Sequence, residues 1–183
     1  MSVKITLLGS LPKGDEARKQ FKDWKIEYEE KIRATIPNSN FLHGDLVSDT
    51  IGPELVVGHD LWLIKNSDII VVNASSKIGA GTAQEILYAK YCKKPVVSVL
   101  PKNTHHRRSN VVFQGTAIED WIHPFIFVSS DYIAETLEDA ANWIALFIKT
   151  PTPVKGITIF EEVTKQFEKE FPDIVSEYKN KGW

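Results

Sequence analysis

Two kinds of run alternate along this chain. Short, nearly unbroken apolar runs occur at Val3–Leu8, at Ile69–Asn73, and at residues 95–100 and 125–129, with a shorter one near Phe41 and Leu42. Runs of this length, apolar on both faces, are what the buried strands of a parallel sheet require. The stretches between them place apolar residues at helical spacing. Ala17, Phe21, Trp24, Tyr28 and Ile32 predict one long helix over 15–36, stopped by Pro37-Asn38-Ser39-Asn40. Pro53 is suited to open a second helix that runs to about Asn66. Further helices are predicted over 82–93 and 134–149, with a helical turn at 118–121 and a polar loop over 101–110. After Pro151-Thr152-Pro153 a polar helix fills the C-terminal part. Strands that alternate with helices predict a three-layer α/β domain, flavodoxin-like or Rossmann-like, around a mostly parallel five-stranded sheet. The expected organisation is one domain over 1–150 and a helical extension over 151–183 that packs on it or on a neighbouring subunit.

Composition narrows the function classes. The chain has 183 residues, 43% hydrophobic and 25% charged, with a formal net charge of −2. These are ordinary values for a domain with a sizeable core, and the absence of a basic excess argues against a nucleic-acid partner. Cys92 is the single cysteine, so a disulfide framework is excluded and a reducing compartment fits. The apolar start is too short for a signal segment and no run approaches a membrane span, so a cytoplasmic protein without a membrane partner is expected.

Candidate chemistry lies in loops that such a fold brings to the carboxyl edge of the sheet. The first, Gly9-Ser10-Leu11-Pro12-Lys13-Gly14, offers backbone N–H groups with Ser10 and Lys13 beside them. It reads equally as a phosphate or ribose cradle and as a tight turn in which the glycines relieve strain. The second, Gly79-Ala80-Gly81-Thr82-Ala83-Gln84-Glu85, follows the third strand and opens a helix. Glu85 is the leading candidate for catalysis. The competing reading is a capping box, in which Thr82 caps the helix and Glu85 reaches back to its first N–H. The third loop carries His105-His106-Arg107-Arg108. Adjacent histidines are not a metal-ligand spacing, and a solvated turn is the plainer reading. His43, His59 and His123 fall in separate segments and are read as structural or as minor pocket contacts. Asp60, among Leu61, Trp62 and Leu63, joins Glu85 at the sheet edge if it points inward. Two carboxylates at one pocket can displace a group at a sugar anomeric carbon, one attacking and the other handling protons. The sequence contains no P-loop, nucleophile elbow or complete dinucleotide fingerprint.

Together these pieces resemble the nucleoside 2-deoxyribosyltransferase family and the related nucleoside 5′-monophosphate N-glycosidases. The resemblance is carried by Gly9-Ser10, by Asp60, by Asn66-Ser67-Asp68-Ile69-Ile70-Val71-Val72, and by Gly81-Thr82-Ala83-Gln84-Glu85-Ile86-Leu87-Tyr88-Ala89 with Lys94-Pro95-Val96-Val97 after it. It covers residues 3–100 well and the remainder loosely. It implies that Glu85 is a nucleophile toward C1′ and that Asp60 assists at the sugar or the leaving base. Gly9, Ser10, Lys13, Gly79, Gly81, Thr82 and Asn110 would contact substrate. It also implies no metal and no cofactor, nucleoside or nucleotide and free nucleobase as partners, and a homo-oligomer. Two departures stand out. Gly79 occupies the place, six before the glutamate, where typical transferases carry an acid. The first loop lacks the Arg-Gly-Gly string common in the phosphohydrolase branch. Two other readings compete: a nucleotide-binding sensor without turnover, and a phosphoribohydrolase of the "lonely guy" type, which usually shows Pro-Gly-Gly where this chain has Lys77-Ile78-Gly79-Ala80. A flavodoxin-type electron carrier shares the topology, but its loops would need more aromatic residues.

Overall fold

The computed structural model describes residues 2–182; the terminal residues Met1 and Trp183 lie outside them. Strand β1 (Val3–Leu8) is followed by two helices, α1 (Asp15–Lys19) and α2 (Trp24–Thr35). The single helix predicted over 15–36 is therefore broken at residues 20–23. Asp23 causes the restart: it is extended (φ −65°, ψ 103°) and its carboxylate accepts a hydrogen bond from the Lys25 N–H, a helix N-cap. Strand β2 (Ser39–Leu42) leads through two short 3-10 turns to α3 (Pro53–Asn66), which Pro53 opens as predicted. Strand β3 (Ile69–Asn73), α4 (Ala80–Tyr91) and β4 (Val96–Val99) complete the first four sheet strands.

The next segment differs from the sequence reading. Residues expected as a loop and a helical turn form an antiparallel hairpin, β5 (Arg107–Phe113) and β6 (Thr116–Ile122). Its two-residue turn, Gln114-Gly115, holds both residues at positive φ (50° and 82°), the twist that tight hairpins favour. The apolar run 125–129, expected as the fifth strand, is instead helix α5 (Pro124–Ser129), with Pro124 in its first turn. The fifth strand is β7 (Tyr132–Ala134), and α6 (Leu137–Lys149) starts three residues later than predicted. Two further helices follow, α7 (Ile159–Glu170) and α8 (Pro172–Asn180).

The main sheet is five-stranded with order β2-β1-β3-β4-β7, and every pairing is parallel. This is the flavodoxin order within a three-layer α/β fold. One apolar layer joins Ile5, Val71, Val97 and Val99 to Tyr28 and Ile32 of α2 and Ile144 of α6. The opposite layer joins Leu8, Ile70, Val72 and Val96 to Ile64 of α3, Ile86 of α4 and Ile126 of α5. Two ion clusters, one of them buried, tie the edges together. Lys90 on α4 is fully buried and pairs with Asp131, whose carboxylate also accepts hydrogen bonds from the Val96 N–H (2.7 Å) and the Lys155 N–H (2.8 Å). Arg107 donates to Asp120, to Glu135 (2.9 Å) and to the Leu100 carbonyl (3.1 Å), fixing the hairpin to the sheet. No helix is long and apolar enough to cross a membrane among the described residues.

Candidate active site

The strand order reverses between β1 and β3, and ligands bind at such a point in open α/β sheets. A cavity of about 130 Å³ opens there. Its floor is the carboxyl end of β1, from Thr6 to Gly9, and its walls come from the loops after β1 and β2 and from α3 and α4. Asp60 and Glu85 both line it. Both also line a second, larger groove of about 430 Å³, formed by α3, α4 and Ile157. The two carboxylates therefore stand at the boundary between two spaces.

Each carboxylate owes its place to a helix. Asp60 lies two turns into α3, and its side chain is 35% exposed. His59 Nδ1 lies 3.4 Å from Asp60 Oδ1. Glu85 lies in the second turn of α4. That helix starts at Ala80 with Gly79 as its N-cap, and no side chain caps it. Thr82 is already helical and buried, so the capping box is absent and Glu85 is free of that task.

Burial raises the pKa of Glu85 to about 7, with a smaller push from the Asp60 charge; Lys13 works against both. Burial also raises the pKa of Asp60, against the opposing effects of His59 and Lys13. Two carboxyls that share one partly desolvated space cannot both ionise freely. Shifts of this kind, at a cavity, mark groups suited to catalysis.

The other sequence-predicted residues are distributed as follows. Gly9 and Lys13 line the cavity with the carboxylates. The glycine is required by packing, because a Cβ there would lie 2.6 Å from Trp24 Cζ2 and 3.1 Å from Asn73 Cβ. Lys13 is exposed and lies 3.6 Å from Asp49. Ser10 offers its carbonyl to the Trp24 indole N–H (3.1 Å), and the residue is exposed. Gly81 lines the larger groove. Gly79 instead borders a third space, of about 300 Å³, on the other face of α4, with His106 and His123. There the Ile78 N–H donates to His106 Nε2 (2.9 Å), and burial lowers the pKa of His106 to about 4. Asn110 is exposed on β5 at positive φ (52°) and lines none of these spaces. The structure thus unites Gly9, Lys13, Asp60 and Glu85, sets Gly81 beside them, and leaves Ser10, Thr82, Gly79 and Asn110 outside the cavity.

Several lining residues were not singled out for the site from sequence: Arg18, Trp24, Lys25 and Asp49, with His43 and His59 read only as minor contacts. Trp24 was visible only as an apolar position at helical spacing, and Arg18 and Lys25 belong to no motif. Among the described residues, no group of three or more His, Cys, Asp or Glu side chains is arranged to hold a metal ion.

Neither protein-family models nor curated proteins match this chain. Among solved structures, a CMP N-glycosidase of Clostridium botulinum overlaps 79% of this chain and 98% of its own, at 12% identity and a TM-score of 0.43. At that level of overlap the functional reading has to rest on the geometry of the site.

Proposed function

We propose that the chain is an N-glycosidic enzyme acting on (deoxy)nucleosides or their 5′-monophosphates. The observation that carries the reading is the meeting of Asp60 and Glu85 at one cavity, with Glu85 freed from any capping role and its pKa raised. Ionised Glu85 attacks C1′. The C1′–N bond breaks, its electron pair leaves with the base nitrogen, and a proton supplied through Asp60 neutralises the departing base. The glycosyl ester on Glu85 is then opened at C1′ by a second base, giving transfer, or by water, giving hydrolysis. Two displacements return the original anomeric configuration. Lys13 at the cavity rim supplies a cation that favours the anion of Glu85. The sequence resemblance supports the same assignment of the two carboxylates and adds a homo-oligomer to the proposal.

One observation favours a second assignment within this reading. Where two carboxyls differ in environment, the one with the more strongly raised pKa usually serves as the acid. By that rule Glu85 would protonate the leaving base while Asp60 faces C1′.

Chromatography of released base tests the function. Purified protein is mixed with nucleosides and 5′-monophosphates, with and without an acceptor base. Base release that disappears in Glu85→Gln is the expected result, with binding largely retained because charge is lost but shape is kept. No release from any substrate would leave a binding module as the better description.

A further inference from the structure

The two spaces that share Asp60 and Glu85 differ in chemistry. The smaller cavity presents polar side chains, among them Lys13, His43, Asp49 and His59, which suit hydroxyl and anionic groups. The larger groove is walled by Val57, Leu61, Leu87, Tyr88, Tyr91 and Ile157. Besides the carboxylates, its polar groups are the Gln84 amide and the hydroxyls of the two tyrosines. The Tyr88 and Tyr91 rings lie nearly parallel, 5.8 Å apart at 28°, and Tyr91 is 68% exposed. Val57, Leu87 and Ile157 are also exposed. Apolar and aromatic surface left open beside reactive groups marks a ligand face.

Building on the N-glycosidic reading, we propose that the glycosyl group occupies the polar cavity and that the leaving base lies in the α3–α4 groove against Tyr88 and Tyr91, so that two-ring bases are preferred. The scissile bond would then cross the boundary where both carboxylates stand. A flat heteroaromatic ring fits the groove walls, since stacking on aromatic side chains needs only a π-face, and the Gln84 amide can meet one polar edge of the base. The groove is open to solvent and measures about 430 Å³, which leaves room for a two-ring base beside the sugar. Ile157 brings the segment after α6 into the site as a specificity wall.

The test compares wild type with Tyr91→Ala in two assays. In the first, kcat/KM is measured for purine and pyrimidine substrates. Wild type favours purines, and the variant lowers the purine-to-pyrimidine ratio about tenfold, mainly through KM. In the second, binding of free adenine is followed by calorimetry, which needs no turnover. Adenine binds wild type and binds the variant about tenfold more weakly. A purine ratio and adenine affinity unchanged in the variant would overturn the proposal, as would failure of wild type to bind adenine. If the variant keeps both but halves the protein's mass in solution, the groove belongs to a second copy of the chain and the proposal also falls. Adenine binding that depends on Tyr91 in a protein that releases no base would retain the groove and refute the N-glycosidic reading.

Discussion

Among single residues, the ionisation of Glu85 governs both stability and the proposed chemistry. Its pKa of about 7 lies above the ordinary carboxylate value of 4.5, so the folded protein holds this proton more tightly than the unfolded chain. The stabilising contribution is complete below about pH 4.5 and is lost as pH rises through about 7. Replacing the buried anion with Gln should therefore raise the melting temperature relative to wild type at pH 8 and have little effect at pH 4. The rate has a sign of its own. If Glu85 attacks C1′, kcat/KM rises with pH through about 7 and then levels. A fall through the same range would assign Glu85 as the proton donor and Asp60 as the group facing C1′. The pH profile of base release, read beside the two melting curves, decides between them.

At the scale of elements, the loop after β1 is held by α2 as much as by its own turn. Trp24 packs over Gly9 and donates to the Ser10 carbonyl, and it meets Tyr28 edge-on at 4.9 Å. Gly9→Ala would force a Cβ to within 2.6 Å of the indole, so it should destabilise the fold by about 1–3 kcal/mol, measurable by urea denaturation. Retained stability would mean that the loop yields easily. The glycine of this loop was legible in sequence, but its cause was not, because the indole that demands it lies fifteen positions away. Elements with a strong local signal were legible: α3 from its opening proline, β3 from an unbroken apolar run. The hairpin was missed because Gln114-Gly115 is a weak turn signal, although Val111, Val112, Thr116 and Ile118 are β-branched residues flanking it. The run Phe125-Ile126-Phe127-Val128 could not be told from a strand by hydrophobicity alone. Pro124 before it was the available helix signal.

In the whole molecule, the alternation of strands and helices predicts a mostly parallel five-stranded sheet; the observed order is β2-β1-β3-β4-β7, and its fifth strand is β7 rather than the run 125–129. The carboxylate pair could be anticipated only because both residues belong to elements whose ends meet where that order reverses. Their surroundings were not legible. The cavity joins segments near residues 9, 18, 43 and 60 to Glu85, and no spacing along the chain encodes such an encounter. The groove on the other side additionally takes Ile157 from the segment that leads to α7. The proposed covalent bond between Glu85 and the sugar is visible to intact-protein and peptide mass spectrometry. A 2-fluoro-arabinosyl nucleoside with a good leaving base and no acceptor present, in which the fluorine slows both oxocarbenium-like steps and the leaving base keeps formation of the ester ahead of its opening, should add one glycosyl mass to the protein, located on the peptide that contains Glu85 and absent from Glu85→Gln. Steady base release from that substrate with no adduct, or with an adduct on Asp60, would contradict the assignment.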